Sequence, residues 1–242
     1  MDKSNVEAEI PVDFSTEIFI KKWTIYKKII EHDNMSHKAG YSKLKEILLD
    51  DMKKPFCFVD LACGDAKYSS KILNDTLAQR YIGIDISDEA LTYARENFRD
   101  SIVEATFLRA DFVNFLNVID EEVDVIWVGF SVHHLDTTEK FEFMRDVKKA
   151  LSKEGLFMLY EPILHECEDR DQYYNRFKKT FDIHWRGLSK EEGESLLEHV
   201  KETEKPKTTE KWISLGKDAG FSRSEKVFSE KTGLYEIFKY KN

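Results

Sequence analysis

The stretch at residues 56–68, FCFVDLACGDAKY, decides the fold predicted for this chain. It begins with a run of apolar and β-branched residues, which is typical of a buried strand. A turn with small residues at positions 62, 64 and 66 follows, and helical spacing begins at Tyr68. The stretch therefore predicts a strand, a tight turn and a helix whose first N–H groups face the carboxyl edge of a sheet, where ligands of open α/β sheets bind.

A second apolar run, at residues 81–86, contains Asp85 near its end, 25 residues after Asp60. In nucleotide-binding α/β domains an acidic side chain at this place binds the two ribose hydroxyls, because one carboxylate can accept both O–H bonds. The first turn lacks the GlyXGlyXXGly pattern of dinucleotide enzymes and reads AspXAlaXGlyXAla instead. With the acidic strand end, it resembles the first motif of class I S-adenosylmethionine (SAM) dependent methyltransferases.

Later strands support this resemblance. Three more apolar strands are predicted at residues 105–112, 123–131 and 156–160, and helical patterns separate them. Two final strands, at residues 226–228 and 234–240, resemble the family's closing hairpin. The predicted fold class is α/β: a doubly wound, mostly parallel, seven-stranded Rossmann-like sheet with an antiparallel last strand and a helical cap.

The chain is predicted to have three segments. Residues 1–13 are polar and are expected to form a disordered tail. Residues 14–54 carry helical patterns, and in small-molecule methyltransferases such helices commonly fold over the SAM pocket as a lid. Residues 55–242 form the SAM-binding domain, with an insertion at about residues 163–206 where the alternation stops. This insertion would lie over the carboxyl edge of the sheet as a substrate cap.

Composition narrows the function classes. A net charge of −9 argues against the broad basic surface that a nucleic-acid substrate would require. The three cysteines form no CysXXCys pair, so we predict no metal site. Neither a secretory core nor a run of about 18 apolar residues is present, and we expect a cytoplasmic protein without a membrane span. Monomer and homodimer both remain open.

The resemblance also implies how the cofactor is held. Asp111 resembles the acidic residue that pairs with the adenine amino group, and Phe112 would pack on the adenine ring. An acidic residue at a strand end can instead cap the following turn. The cofactor would be SAM, its product S-adenosylhomocysteine (SAH), and the binding residues Asp60, Ala62, Gly64, Asp65, Asp85, Ile86, Asp111, Phe112, Phe130 and Ser131.

Three residues are candidates for the catalytic base. His133 and His134 follow the fourth strand, and histidine titrates near neutral pH. Neighbouring side chains of a strand or turn point in opposite directions, so we expect only one of the pair, His133 by preference, to face the pocket. Alternatively, one binds a backbone carbonyl and the other caps a helix. Glu161, after the fifth strand, could accept a proton, hold a cationic substrate or bond to a neighbouring loop.

Aromatic and cationic residues alternate in the predicted cap, and others lie in the predicted lid. They would suit an aromatic or carboxylate-bearing small molecule, although the same residues could pack on the domain with the arginines in water. The candidate substrate-binding residues are Tyr26, His37, Tyr173, Arg176 and Trp185.

The predicted activity is transfer of a methyl group from SAM to a nucleophilic nitrogen or oxygen of a small molecule. The AsnProProTyr signature of enzymes that methylate adenine or glutamine amino groups is absent. Alternatives are a protein or RNA acceptor, a SAM-binding domain that no longer catalyses, and a related domain that uses the same donor differently.

Overall fold

The computed structural model of this chain describes residues 23–119 and 121–242. Two helices, α1 (Trp23–Glu31) and α2 (His37–Asp51), precede the sheet. The predicted tail at residues 1–13 lies outside the described residues, as do residues 14–22 of the predicted lid.

Strands and helices then alternate, as the sequence predicts. The elements are β1 (Phe56–Leu61), α3 (Lys67–Leu73), β2 (Ala78–Asp85), α4 (Asp88–Asn97), β3 (Glu104–Arg109), α5 (Phe112–Leu116), β4 (Val123–Gly129), a 3-10 turn (Val132–His134), α6 (Thr137–Ala150) and β5 (Leu151–Leu164). The insertion and the end of the chain follow as α7 (Arg170–His184), α8 (Lys190–Thr203), β6 (Lys207–Thr208), α9 (Thr209–Asp218), β7 (Arg223–Ser229) and β8 (Tyr235–Lys241).

The strands form one sheet in the order β3-β2-β1-β4-β5-β8-β7. Neighbours from β3 through β5 are parallel, whereas β8 runs antiparallel to both β5 and β7. The predicted seven-stranded, mostly parallel sheet is therefore confirmed. An eighth strand, β6, is only two residues long. It pairs with the end of β5 and is not part of the strand order given above.

Strand β1 lies inside the sheet between β2 and β4, and all six of its residues are buried. Phe58 packs in the hydrophobic cluster on one face, while Val59 and Leu61 belong to the cluster on the other. Cover on both faces explains why the strand is almost continuously apolar. Asp60 is paired with Gly83 on β2 and Trp127 on β4, so the turn after β1 lies between two other strand ends.

The predicted carboxyl ends of β3 and β5 differ most from the observed ones, whereas that of β4 differs by two residues. Strand β3 ends at Arg109, before the predicted end at residue 112, because Asp111 caps α5. Strand β5 continues past residue 160, because Glu161 and Pro162 still pair with β8. In the described part of the chain, no helix is both long and apolar enough to cross a bilayer.

Candidate active site

A cavity of about 930 Å³ lies at the carboxyl edge of the sheet. Its floor includes Ala62, Asp85 and Gly129, which follow or end three neighbouring strands. Residues of α1 from the predicted lid and of α7 and α8 from the predicted cap complete its walls. The cavity therefore lies where the parallel sheet leads us to expect a ligand.

The turn after β1 has an unusual backbone. Ala62, Gly64 and Ala66 all have positive φ angles, of 55°, 56° and 49°. The amide of Gly64 donates to Oδ2 of Asp85 at 2.9 Å, which ties the turn to the end of β2. A Cβ atom at Gly64 would lie 3.4 Å from the Trp23 ring, so glycine suits both the backbone and the approach of α1.

Asp60 is buried behind this turn, with 1% of its surface exposed. Its Oδ2 accepts hydrogen bonds from Ser69 Oγ at 2.5 Å and Tyr81 Oη at 2.8 Å. Its Oδ1 has no hydrogen-bond partner among the described residues. A buried oxygen without a hydrogen bond lowers the stability of the folded state. Burial raises the pKa of this carboxyl to about 7. A hydrogen-bond donor on a ligand would satisfy the free oxygen.

Asp85 lies on the cavity wall, and Ile86 lines the cavity beside it. Besides the bond from Gly64, its Oδ1 accepts a bond from the Ser87 amide at 2.9 Å. Burial raises the pKa of the Asp85 carboxyl, although these backbone donors oppose the rise. Each carboxylate oxygen can accept a further bond, so the pair of oxygens can still receive two hydroxyl groups.

Asp111 caps a helix, which is the alternative role for this residue. Its Oδ1 accepts from the amides of Val113 at 2.9 Å and Asn114 at 3.1 Å. The residue nevertheless lines the cavity together with Phe112, whose ring meets Phe143 edge-on. Contact of Asp111 and Phe112 with adenine stays a prediction.

The remaining predicted cofactor residues divide between two cavities. Phe130, with a positive φ of 55°, and Ser131 line the main cavity after β4. Asp65 instead lines a neighbouring space of about 20 Å³, together with Asp60 and His37. The small space shares Ala62, Gly129 and Phe130 with the main cavity, so the two adjoin at the turn after β1.

His133 and His134 belong to a 3-10 turn, and both line the main cavity. Their ring centroids are 4.0 Å apart. The expectation that only one of them faces the pocket is wrong, because the two residues follow a helical turn and not an extended strand.

Glu161 holds the turn that carries the histidines. Its Oε1 accepts the amides of Ser131 at 3.0 Å and Val132 at 2.9 Å, and its Oε2 accepts the His133 amide at 3.0 Å. The same Oε2 lies 2.6 Å from His133 Nδ1. Glu161 is fully buried and is not part of the cavity lining, so the predicted contact with a cationic substrate is corrected to a bond with the neighbouring loop.

The electrostatics leave His133 neutral. Burial lowers its pKa well below the usual value, and coulombic interactions with Lys140 and His199 act in the same direction. Burial raises the pKa of Glu161, against the three backbone donors and Lys140. A neutral imidazole with Nδ1 oriented by a carboxyl group is the form in which Nε2 can accept a proton.

The five predicted substrate residues are not all brought together. Tyr26 and Trp185 line the main cavity, and His37 lines the small one, where its Nε2 is 3.4 Å from Tyr26 Oη. Tyr173 and Arg176 are not in the lining of either cavity and are corrected to structural residues.

Arg176 fastens α7 to the sheet. Its guanidinium forms an ion pair with Glu168 at 2.8 Å and donates to the carbonyl oxygens of Ile163 and Gly233. These bonds occupy the fork of donors that a carboxylate-bearing substrate would need. The cap therefore contributes aromatic surface but not the cationic pocket that the sequence suggested.

Glu204 and Tyr235 line the cavity but did not emerge from the sequence. Glu204 follows α8, and no local pattern separates it from the other glutamates of that helix. Tyr235 begins the antiparallel strand β8, which reaches the cavity only through its pairing with β5. Both depend on long-range contacts.

Comparison with known proteins agrees with this geometry. Residues 58–155 match a family model described as a methyltransferase domain. Two curated relatives, both named carboxy-S-adenosyl-L-methionine synthase 1, come from strains of Yersinia pseudotuberculosis. Each is 26% identical over 200 residues, which are 78% of this chain and 81% of the relative.

Solved structures share the fold. The plantazolicin methyltransferase BamL, solved in complex with a triazolic desmethylPZN analog and SAH, superposes with a TM-score of 0.65 at 14% identity, over 94% of this chain and 96% of its own. A DhpI–SAH complex gives a TM-score of 0.62 at 10% identity and covers 93% of both chains. With the family model and the turn joined to Asp85, these findings confirm the resemblance of this chain to the class I SAM-dependent methyltransferases, with SAM as the methyl donor.

Proposed function

We propose that this chain methylates a nitrogen or oxygen atom of a small molecule. The observation that carries the proposal is the continuity of the cavity, which runs from the turn after β1 to His133 beneath α7 and α8. Its volume of about 930 Å³ is near the upper end of the range of about 300–1,000 Å³ for small-ligand pockets. A nucleoside and a small acceptor can therefore share it.

The residues around the turn fit SAM. Asp85 would hold the ribose hydroxyls, Phe112 would face the adenine ring, and Oδ1 of Asp60 would accept a bond from the ammonium group. The unpartnered oxygen of Asp60 supports this fit, because an N–H donor would satisfy it. When bound, SAM supplies a methyl group made electrophilic by the sulfonium.

The chain's own contribution is to position the acceptor and to receive its proton. Nε2 of His133 would take the proton from the reacting O–H or N–H group, while Glu161 keeps the ring oriented. Phe177 and Trp185 would exclude water from the acceptor end of the cavity. Alignment of the acceptor supplies several kcal/mol of the barrier reduction in such reactions.

A second candidate follows from the Yersinia relatives, whose name describes a synthase that makes a carboxylated SAM. Such a product carries an additional carboxylate, which calls for a cationic partner. Among the described residues the cations in the lining are Arg145 and Lys205, and both are exposed. This charge pattern favours methyl transfer over the synthase activity.

The proposal is tested by calorimetric titration with SAM and SAH, followed by a screen of amines, phenols and acids with methyl-labelled SAM. We expect both nucleosides to bind and label to appear on a small acceptor. Conversion of SAM into a carboxylated sulfonium, detected by mass, would favour the second candidate. Label on protein or RNA alone would contradict the proposal. The cytoplasmic location and the oligomeric state stay predictions.

Asp85→Ala should weaken SAH binding by about 1.5–3 kcal/mol, the usual contribution of hydrogen bonds to a charged group. Calorimetry of the purified variant measures the change. Asp88→Ala is the matched control, because Asp88 lies three residues further on, at the exposed start of α4. Equal affinities of wild type and Asp85→Ala would show that the ribose does not bind here.

The affinity for SAH should depend on pH through Asp60. Below about pH 7 its carboxyl is protonated, so pairing with the ammonium group of SAH must first release that proton. We therefore expect binding at pH 6 to be weaker than at pH 8, by up to about tenfold. Asp60→Asn should flatten this dependence in calorimetric titrations, and an unchanged slope would argue against the pairing.

A further inference from the structure

Glu204 lies opposite His133 on the cavity wall. Its Oε2 accepts a hydrogen bond from Tyr173 Oη at 2.7 Å, while its Oε1 is 4.0 Å from His133 Nε2. The amide of Lys205 donates to the carbonyl of His133 at 2.9 Å, which fixes the segment after α8 to the 3-10 turn. This bond holds the side chains of Glu204 and His133 on opposite sides of the same part of the cavity.

The separation of 4.0 Å is too long for a direct hydrogen bond but suits a shared donor. A nitrogen atom can lie about 2.8 Å from both Glu204 Oε1 and His133 Nε2, with its two bonds at roughly a right angle. A primary amine has one N–H for each of the two acceptors, whereas a hydroxyl group has a single hydrogen. This geometry favours nitrogen over oxygen as the reacting atom.

The charge of the cavity wall points in the same direction. Arg145 and Lys205 are the cations among the described lining residues, and both are exposed. Acidic lining residues are more numerous, and their charge attracts a cation and repels an anion. Glu204 is buried and Asp85, Asp111 and Asp146 are half-buried, whereas Glu139 and Glu142 are exposed like the two cations. Burial raises the pKa of Glu204 to about 8, so its carboxylate form is the one that a bound ammonium group would stabilise. The acidic residues are Asp85, Asp111, Glu139, Glu142, Asp146 and Glu204.

Apart from His134 and His199, the acceptor end is lined mainly by apolar and aromatic side chains. Phe177, Trp185, Leu196 and Val200 come from the cap helices, and Tyr235 closes the wall from β8. Tyr235 is 3% exposed, and its Oη has no hydrogen-bond partner among the described residues. Such a wall suits a flat apolar body with one polar group, and aromatic rings also attract a nearby ammonium.

We propose that the acceptor is a primary amine on a flat apolar body, with its nitrogen donating to both Glu204 and His133. This inference rests on the proposed function and narrows its acceptor class. Glu204 is then a specificity-determining residue that selects amines and rejects carboxylates.

The test compares three indoles that share the same ring and two-carbon chain: tryptamine, tryptophol and indole-3-propionate. Each is titrated by calorimetry into the full chain saturated with SAH. We expect tryptamine to bind at least about tenfold more tightly than indole-3-propionate, with tryptophol between them. Equal or tighter binding of indole-3-propionate, or no binding of tryptamine at about millimolar concentration, would overturn the proposal.

Glu204→Gln should reduce the preference for tryptamine over indole-3-propionate to within about threefold. Glu202→Gln is the matched control on the exposed side of α8 and should keep the full preference. If Glu204→Gln kept the full preference for tryptamine over indole-3-propionate, Glu204 would not determine the specificity. The first titration separates the two proposals, because absence of SAH binding contradicts the proposed function, whereas SAH binding with the wrong indole order contradicts the amine alone.

Discussion

His133→Ala should lower turnover roughly 10²–10⁴-fold, the usual effect of losing a general base. The side chain is buried beside the cavity, its Nδ1 lies 2.6 Å from Glu161, and burial keeps its pKa low enough for Nε2 to be unprotonated. His133 is proposed to contact the acceptor, whereas SAH is proposed to bind at the turn after β1. The affinity for SAH should therefore change by no more than about twofold. Single-turnover methylation and calorimetry measure the two effects.

His134→Ala is the matched control for His133→Ala, because it removes the neighbouring imidazole. His134 has a neighbouring ring on the same cavity wall, but Glu161 is paired with the ring of His133. We expect most of the activity to remain in this variant, and the double variant to resemble His133→Ala. If the double variant kept full activity, neither histidine would be the base.

Glu161→Gln should destabilise the protein by about 2–4 kcal/mol, because an amide replaces a buried acceptor that serves three backbone N–H groups and one imidazole. It should also lower turnover by roughly 10²–10⁴-fold. The amide N–H₂ would donate to Nδ1 of His133, which shifts the proton to Nε2. In that tautomer Nε2 can no longer accept a proton from the acceptor.

Two measurements separate this role from a merely structural one. Nitrogen-15 NMR of the imidazoles should show the change of tautomer at His133 in Glu161→Gln. Glu230→Gln is the matched control, since Glu230 is also buried and accepts the amides of Thr232 and Leu234, away from the cavity lining. It should lose stability but keep the tautomer and the turnover. An unchanged tautomer in Glu161→Gln would contradict the assigned role.

The local pattern of the chain was enough to predict the sheet. A strand covered on both faces must be almost wholly apolar, and the run at residues 56–61 shows this directly. The small residues of the following turn and the acid at Asp85 are also local signals, because ligand contact at a strand end requires particular residue types there. The fold, the family resemblance and the cofactor therefore followed from short stretches read in order.

The cap illustrates where local pattern fails. The sequence of α7 places arginine among aromatic residues, which is compatible with a substrate pocket. Only the fold shows that Arg176 meets Glu168 and the carbonyls of Ile163 and Gly233. Whether a long charged side chain turns to a cavity or to a neighbouring loop depends on partners that are distant along the chain.

By itself, the sequence determined the doubly wound sheet, the resemblance to class I methyltransferases and the use of SAM. The tertiary structure decided that both histidines line the cavity, that Glu161 supports His133 from behind it, and that Glu204 faces His133 across it. The reason is physical. Strand, turn and helix patterns arise from neighbours along the chain, whereas the acceptor end is assembled from four separate elements that meet only when the sheet and its cap are packed.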